Sequence, residues 1–470
     1  MEKRAVLPEL QEKILKLYNS NKETIVANDT PRVSALREVA LKSFEEQGFP
    51  TSALENWRNT RLEKALDYDF NIVFEPQVDS SEFDKVFKCD IHGFDANMYA
   101  HLNGWHLRKE TKLTRHDNGV IIGSLALAMQ EEPELVDQHI GNYLNLEKNG
   151  LTALNAAMAQ DGVFIYIPDN IEVEKAIQLV NVTSRPDHAF EQLRNLIIIG
   201  KNAKATILQC DDSYNHEASF SNCVTEVFLD QGAKLDHYKL QNLNDASTLI
   251  NTMYFHQEKD SSLMTNAITL NGGIMRNDSF VKLNGRGAHA DILGLYLMDR
   301  EQHVDNQVYV DHAVSDCTSN QLFKGIVDDN ARAVFNGYVL VRRDAQRTLA
   351  FQNNRNIALT DKATINTKPF LEIYADDVKC SHGATVGQLD DTALFYIKSR
   401  GISEYNARLL LMYAFAAEVI NFINIEALRI RIDDLVKKRL RGELSVCDQC
   451  VLHCSSQEKT VSFEIDMSKI

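Results

Sequence analysis

The stretch KCSHGATVG contains a cysteine and a histidine two residues apart, Cys380 and His382. Residues at positions i and i+2 of a β-strand share one face and lie roughly 6.6 Å apart along the chain. Both side chains could therefore line one wall of a site that a third group completes from another strand or subunit. A thiol and an imidazole suit iron, copper or zinc. The structural alternative is a cysteine buried as a small apolar residue and a histidine bonded to a backbone carbonyl.

A second group of metal-binding residue types lies near the C-terminus, in the stretch CDQCVLHC. Cys447, Cys450 and Cys454 follow the spacing C-x2-C-x3-C, and His453 lies among them. Three thiolates and one imidazole would complete a tetrahedral zinc site or hold an iron–sulfur cluster. A single C-x2-C pair is less specific than two such pairs, and reduced thiols in a terminal segment are the alternative.

The glycine-rich stretches elsewhere do not match a nucleotide-binding or hydrolytic motif. NGGIMRNDS and LNGRGAHAD lack the Lys-Ser/Thr ending of a P-loop, and the chain contains neither G-x-S-x-G nor H-E-x-x-H. We therefore expect no catalytic residues of these classes.

The composition is that of a globular protein in a reducing compartment. Of 470 residues, 44% are hydrophobic and 25% are charged. A net charge of −16 disfavours nonspecific binding to nucleic acid or to anionic membranes. The apolar run at 409–417 is shorter than the about 20 residues that a membrane helix needs. Eight cysteines and an N-terminus without a sustained apolar segment predict free thiols, no signal peptide and a cytoplasmic location.

The pattern of residues predicts several regions along the chain. They are an N-terminal helical region over 1–70, a mixed segment over 71–159, a β-rich core over 160–388, a C-terminal helical region over 389–442 and a cysteine-containing tail over 443–470. Short β-branched runs such as DGVFIYIP and RNLIIIG, closed by proline or glycine, are typical of strands.

A loose motif recurs in the β-rich core: a turn residue, an alanine and then alternating residues. The alanines are spaced irregularly, by about 30 to 55 residues, at Ala203, Ala233, Ala288, Ala331 and Ala363. A small residue at a tight corner, followed by a strand, is what each turn of a β-solenoid needs. An all-β sandwich with similar turns is the alternative.

Helix signals lie on both sides of the core. Thr30 and Pro31 predict a helix start and Gly48 its end, with apolar residues at helical spacing between them: Leu36, Val39, Ala40 and Phe44. After the core, Asp390 and Ser403 are predicted N-caps. An apolar stripe follows, which we expect to pack on the β-rich core: Leu409, Met412, Tyr413, Ala416, Val419, Ile420 and Ile423.

Several of these stretches occur together in one known family. The segment 372–420, which contains KCSHGATVGQLDDTALFYIKSRG, resembles the C-terminal part of the SufB/SufD family of the SUF iron–sulfur cluster assembly system. ENWRNT at 55–60 and LNAAMAQDGVFIYIPDN at 154–170 resemble two further elements of that family, in the same order. The resemblance covers most of the chain, from about residue 55 to 420.

The family has two branches, and the sequence resembles the SufD branch. The SufB branch has C-G-A-H-T-x-P before its last β rung and E-H-E-A-T within it, whereas this chain has ATINTKP and CSHGAT. Ala363 therefore stands where the SufB branch has its sulfur-accepting cysteine. The tail over 443–470 lies beyond the part that the resemblance covers.

The resemblance implies a mainly β fold, in which a right-handed parallel β-helix lies between N- and C-terminal α-helical regions. It implies a SufB-type sister subunit, a SufC-type ABC ATPase and recipient apo-proteins as partners. Whether the isolated chain forms a homodimer through the same edge is left open by the sequence. The chain would be a scaffold without catalytic residues, and the ATPase partner would hydrolyse ATP. An iron–sulfur cluster would be shared transiently with the sister subunit, and the isolated chain would hold no cofactor tightly.

The resemblance also implies where the working residues lie. His382 matches the family's interface histidine, so His382 and Cys380 are expected at the boundary between subunits, with His382 as a cluster ligand or positioner. Phe395, Tyr396 and Arg400 belong to the F-Y-x-x-S-R-G segment and are expected to contact the ATPase. Two alternatives stay open: a β-helix carbohydrate-active enzyme, and a metal-binding interaction module that uses the cysteine-containing tail.

Overall fold

Two sheets of mainly parallel strands wind together into a β-solenoid. This computed structural model describes residues 6–443, except 76–93, 108–111, 148 and 186. Along the chain, successive strands of the solenoid alternate between the two sheets, and each strand pairs with the strand two positions before it and the strand two positions after it. Hydrogen-bonded side chains on neighbouring turns are typically 28 to 31 residues apart. The predicted solenoid is confirmed.

The first sheet, sheet I, has ten strands within the described ranges. They are β1 (Ala96–Leu102), β2 (Trp105–His106), β6 (Ala176–Thr183), β8 (Lys204–Ser213), β10 (Lys234–Asn242), β12 (Ser262–Asn271), β14 (His289–Met298), β16 (Thr318–Val327), β18 (Thr348–Ala358) and β20 (Val378–Gly387). Its order is β2, β1, β6 and then the even-numbered strands to β20 at the far edge.

In the part of the chain that the structure describes, the second sheet, sheet II, also has ten strands. They are β3 (Thr114–Arg115), β4 (Ile121–Ser124), β5 (Val163–Ile167), β7 (Ala189–Ile199), β9 (Ser219–Leu229), β11 (Thr248–Gln257), β13 (Ile274–Leu283), β15 (His303–His312), β17 (Arg332–Val341) and β19 (Thr364–Ile373). Its order runs from β3 at one edge, through β4, β5 and β7, to β19 at the other.

The two ends of the solenoid are built differently. At the N-terminal end the strands turn antiparallel, with β1 against β2 and β3 against β4. The outermost strands there among the described residues, β2 and β3, are each two residues long. At the other end the outermost strands, β19 and β20, are each ten residues long.

A left-handed residue followed by a small buried residue forms the corner before each of six sheet I strands. The left-handed residues, with φ between 53° and 78°, are Asn202, Gly232, Asp260, Gly287, Asp316 and Arg347. The residues that follow them are at most 1% exposed: Ala203, Ala233, Ser261, Ala288, Cys317 and Thr348. Glycine, asparagine and aspartate tolerate this backbone conformation best, so the residue types largely predict these corners.

The irregular spacing of the predicted alanine motif has a structural cause. Ala203, Ala233 and Ala288 lie at the corner that leads into sheet I, but Ala331 and Ala363 precede β17 and β19 of sheet II. Serine, cysteine and threonine take the place of alanine at the other three sheet I corners. The motif therefore combined two different corners and missed three turns, and the solenoid repeat is regular.

Replacing Gly287 with alanine should destabilise the solenoid by about 1–2 kcal/mol, because a residue with a Cβ is strained at positive φ. Gly287 has φ +78°, and a Cβ there would lie 2.3 Å from Asp260 Oδ1. Chemical denaturation of the purified chain measures the loss. Gly387→Ala is the control, since a Cβ at Gly387 would have no described heavy atom within 4 Å. Equal denaturation midpoints for the two variants would contradict the claim that a Cβ at position 287 strains the backbone.

The N-terminal and inserted helices cover the outer face of sheet II. They are α1 (Val6–Ser20), α2 (Lys22–Ile25), α3 (Pro31–Gln47), α4 (Leu125–Glu131), α5 (Pro133–His139) and α6 (Gly150–Met158). Helix α3 begins and ends as predicted, since Thr30 Oγ1 accepts from the Val33 backbone N–H at 3.2 Å and Gly48 ends it at φ 64°. The predicted apolar face is partly wrong, because Val39 is 61% exposed and Arg37 is buried in its place.

The C-terminal helices are α7 (Asp391–Ser399), α8 (Glu404–Ile420) and α9 (Glu426–Leu440). The predicted stripe on α8 does pack on the solenoid: Leu409, Met412, Ala416, Val419 and Ile420 join the outward-facing residues of sheet I in one apolar cluster. Lys324 of β16 also donates to the backbone carbonyl of Phe415 at 3.0 Å.

Along the described parts of the chain, every helix is too short or too polar to cross a lipid bilayer.

The segment 55–60, which we call the strap, crosses the outer face of sheet II and reaches its last strand. The side chain of Trp57 is buried over the guanidinium of Arg276 on β13, with 3.7 Å from Cζ to the ring centroid. At the other end of the strap Glu55 forms an ion pair with Lys368 of β19. The strap therefore connects the N-terminal region with the final turn of the solenoid.

Candidate functional site

The solenoid finishes in two strands that are each paired on one side only within the described chain. β20 pairs with β18, and β19 pairs with β17. Their outer edges therefore present a row of backbone N–H and C=O groups that another strand can satisfy. We call β19 and β20 the open end.

The open end also exposes apolar side chains. Phe370, Ile373 and Tyr374 of the β19 region are 45%, 40% and 60% exposed, and Val386 of β20 is 51% exposed. Large apolar residues grouped on one surface commonly mark a contact with another protein. The open end thus combines unpaired backbone groups with apolar contact area.

Cys380 and His382 both lie on β20, at the open end. Cys380 is partly buried and packs against the apolar interior, together with Val378. His382 shares that face by strand alternation, but its side chain is exposed because the interior ends at this strand. In the parallel register His382 lies opposite Gln352 of β18. The structure therefore brings Cys380 and His382 to one face, as their spacing predicts.

The two side chains differ in their readiness to bind metal. Partial burial raises the pKa of the Cys380 thiol, and a hydrogen bond from the Ala350 backbone opposes that rise only in part. A protonated, partly buried thiol is a poor ligand. The imidazole of His382 is exposed, so a metal ion can reach it from outside the chain. Of the two residues, His382 is the better placed to contact a metal ion at the open end.

A complete metal site needs ligands from outside the described chain. No group of three or more histidine, cysteine, aspartate or glutamate side chains in the described ranges is arranged to hold a metal ion. The predicted ligands Cys447, Cys450 and Cys454, with His453, lie outside the described residues. Their metal binding stays a prediction.

Helix α7 presents an aromatic surface close to the open end in sequence. Phe395 and Tyr396 are 75% and 58% exposed, and none of the residues of α7 is buried. The guanidinium of Arg400 lies 4.9 Å from the Tyr396 ring centroid and donates to the Tyr396 hydroxyl at 2.6 Å. Asp390 caps the helix as predicted, by accepting from the backbone N–H groups of Thr392 and Ala393.

Sequence reasoning missed two buried amides that lie beneath His382. Gln352 of β18 and Gln321 of β16 are 1% and 2% exposed, and they lie in register with each other and with His382. The available signal was the alternation in TLAFQNNRNIA. That alternation shows which residues share a face, but it does not show which residues of neighbouring strands lie opposite one another.

Two family models match consecutive parts of the chain. The model described as "SUF system FeS cluster assembly, SufBD core domain" matches residues 181–415. The model described as "SufBD protein N-terminal region" matches residues 8–179. Together the matches cover the solenoid strands, the whole of α7, and α8 as far as residue 415.

Curated relatives are similar over nearly their whole length. An iron–sulfur cluster assembly SufBD family protein of Synechocystis is 31% identical over 82% of this chain and 86% of its own. The iron–sulfur cluster assembly protein SufD of Escherichia coli is 27% identical over 86% of this chain and 92% of its own. SufD of Bacillus subtilis is 26% identical over 85% of this chain and 97% of its own.

Proposed function

Because the chain belongs to the SufBD family of the SUF iron–sulfur cluster assembly system, we propose that it is a scaffold subunit of the SufD type. In this proposal it pairs with a SufB-type sister subunit through the open end, and a SufC-type ATPase binds its C-terminal helices. The nascent cluster, which is cargo for recipient proteins, forms at the subunit boundary beside His382.

One observation carries the proposal: an exposed imidazole lies on a terminal strand whose outer edge is unpaired within the described chain. A sister strand that satisfies this edge would bring its own side chains next to His382. Apolar side chains around the edge, such as Phe370 and Val386, add contact area for the sister subunit.

The ligand chemistry suits a cluster that must leave. A neutral imidazole coordinates iron, and the sister subunit would supply thiolates. Imidazole binds iron more weakly than thiolate does, so a mixed ligand set holds the cluster less tightly than thiolates alone. The high pKa of the Cys380 thiol has the same effect, because that thiol does not compete as a thiolate.

The ATPase would act through the C-terminal helices. Helix α8 is packed on sheet I, so a force on this region is passed to the solenoid. Dimerisation of the ATPase on nucleotide would pull the C-terminal helices of the two sister subunits together and open the boundary between them. Free thiols at Cys223, Cys317 and Cys380 fit the reducing cytoplasm that we propose as the location.

Replacing Phe395 with alanine should weaken binding to a SufC-type ATPase at least about tenfold, since exposed aromatic anchors dominate many interfaces. The melting temperature should not change, because Phe395 is 75% exposed and supports no core. Titration calorimetry of the purified chain with the ATPase measures the affinity. Val39→Ala is the matched control, since Val39 is 61% exposed on the remote helix α3. Equal affinities of the two variants would remove Phe395 from the contact.

Anaerobic co-expression with a SufB-type subunit and a SufC-type ATPase tests the whole proposal. We expect the three chains to co-purify and the complex to carry iron and sulfide after reconstitution. A chain that co-purifies with neither partner, or a complex that assembles clusters equally well without it, would contradict the scaffold function.

A further inference from the structure

We propose that Gln352 is a positioning residue for His382. Its side-chain carbonyl oxygen accepts a hydrogen bond from one imidazole nitrogen, so the other nitrogen keeps its lone pair for iron. The role of iron in this inference rests on the proposed function. The proposed hydrogen bond involves only residues of this chain, so it can be measured without a cluster.

The first support is the register of three successive strands. Gln321 of β16 lies opposite Gln352 of β18, and Gln352 lies opposite His382 of β20. The three side chains therefore form one column on the inward face of sheet I, with strands about 4.8 Å apart. His382 is the last member of that column, at the open end.

The second support is the direction of the hydrogen bonds in this column. Gln352 Nε2 donates to Gln321 Oε1 at 2.8 Å, so the amide nitrogen is used toward the strand below. Gln352 Oε1 is buried and has no hydrogen-bond partner among the described residues. In a ladder of side chains on parallel strands in register, each amide donates to one neighbour and accepts from the other. The other neighbour of Gln352 in this column, and so the candidate donor to Gln352 Oε1, is His382.

The third support is the packing that holds the Gln352 amide in place. Gly337 of β17 faces this amide across the interior, and a Cβ at Gly337 would lie 1.8 Å from Gln352 Nε2. Only glycine leaves room for the amide there, and the close fit restricts its rotation. A buried carbonyl held in this way is costly to leave without a donor, which favours the inward imidazole orientation.

The chemical consequence follows from how proteins orient metal-binding histidines. A ligating imidazole usually donates its second N–H to a carbonyl or carboxylate, which fixes the tautomer and the ring orientation. Gln352 would supply that carbonyl from inside the solenoid. The exposed nitrogen of His382 would then point toward the subunit boundary before a cluster arrives.

Nitrogen-15 NMR of the full-length chain with labelled imidazoles tests the hydrogen bond. The His382 signals are assigned by their loss in His382→Gln, at about pH 8, where an ordinary imidazole is neutral. We expect one tautomer of His382 in the wild type and a mixture of both in Gln352→Met, which keeps the length of the side chain but not the acceptor. Gln352→Glu, which restores an acceptor oxygen, should restore the single tautomer.

Gln321→Met is the matched control. It breaks the same buried ladder but leaves Gln352 Oε1 available, so His382 should keep the wild-type tautomer. A merely structural role for Gln352 would change the His382 spectrum equally in both methionine variants, which would overturn the proposal. A tautomer mixture in the wild type would overturn it as well, and that result does not depend on any variant folding.

A second readout connects the hydrogen bond with iron. In the reconstituted complex, Gln352→Met should retain about tenfold less iron than Gln321→Met, as expected when the partner of a ligating histidine is removed. Equal iron retention in the two variants would overturn the positioning role. Normal cluster assembly by His382→Ala, with the tautomer results unchanged, would instead overturn the proposed function and leave the hydrogen bond standing.

Discussion

Replacing His382 with alanine should lower the iron and sulfide content of the reconstituted complex at least about tenfold, while the subunits still co-purify. The side chain is exposed at the open end and supports no part of the core, so the substitution removes the proposed ligand without unfolding the chain. Anaerobic reconstitution followed by iron and sulfide analysis measures the effect. The expected loss is large because no group of metal-binding side chains in the described ranges offers a replacement site.

Two further variants make this result specific. Ser381→Ala is the matched control, since Ser381 is an exposed neighbour on the opposite face of β20, and it should retain the wild-type content. His382→Cys should keep iron bound but slow its transfer to an apo-protein, because a thiolate holds iron more tightly than an imidazole does. Wild-type iron content in His382→Ala would show that the cluster forms elsewhere.

Replacing Arg276 with methionine should destabilise the chain by about 3–5 kcal/mol, the usual cost of removing one partner of a buried ion pair. The Arg276 guanidinium is 3% exposed and forms ion pairs with Asp278 at 2.9 Å and Asp305 at 2.6 Å. Burial already raises the pKa of Asp278. Without the arginine, two buried carboxylates would face each other uncompensated, and Trp57 would lose its stacking partner.

The midpoint of chemical denaturation measures this loss. Arg286→Ala is the control: it also removes an arginine from an ion pair with an aspartate, but its side chain is 66% exposed. Exposed pairs contribute at most about 1 kcal/mol, so the control should differ little from the wild type. A shift of the same size in both variants would contradict the buried ion pairs of Arg276 as the source of the loss.

The ends of the helices that flank the core are readable from the sequence, because capping is local. Thr30, Asp390 and Ser403 each accept a hydrogen bond from a backbone N–H two or three residues later, at the predicted positions. The buried face of α3 is less readable. Arg37 is buried because Asp29 and the carbonyl of Ala159 satisfy its guanidinium, and the second partner comes from a distant helix end.

The solenoid is partly readable from its corners. Glycine, asparagine and aspartate mark five of the six left-handed positions before sheet I strands. Arg347 holds the same conformation without an informative residue type, since Asp316 and the Asp377 carbonyl accept hydrogen bonds from its side chain and backbone. Because these acceptors lie on neighbouring turns, the residues around Arg347 alone do not predict this corner.

The site shows the same division between local and distant information. The shared face of Cys380 and His382 follows from strand periodicity alone. Their location at the last strand came from the family resemblance. The column of Gln321 and Gln352 beneath His382 depends on strand register, which side-chain alternation does not determine.

The unequal ends of the solenoid would limit how many chains join under the proposed pairing. Two-residue strands at the N-terminal end offer little backbone for another molecule to extend, whereas the ten-residue strands β19 and β20 offer much more. A filament needs an adhesive surface at both ends of each unit, and a unit with one such surface closes into a pair. If the chain pairs through the open end as we propose, a sister subunit and a second copy of the chain would compete for a single position, and the concentration of the sister subunit would set which pairing the cell contains.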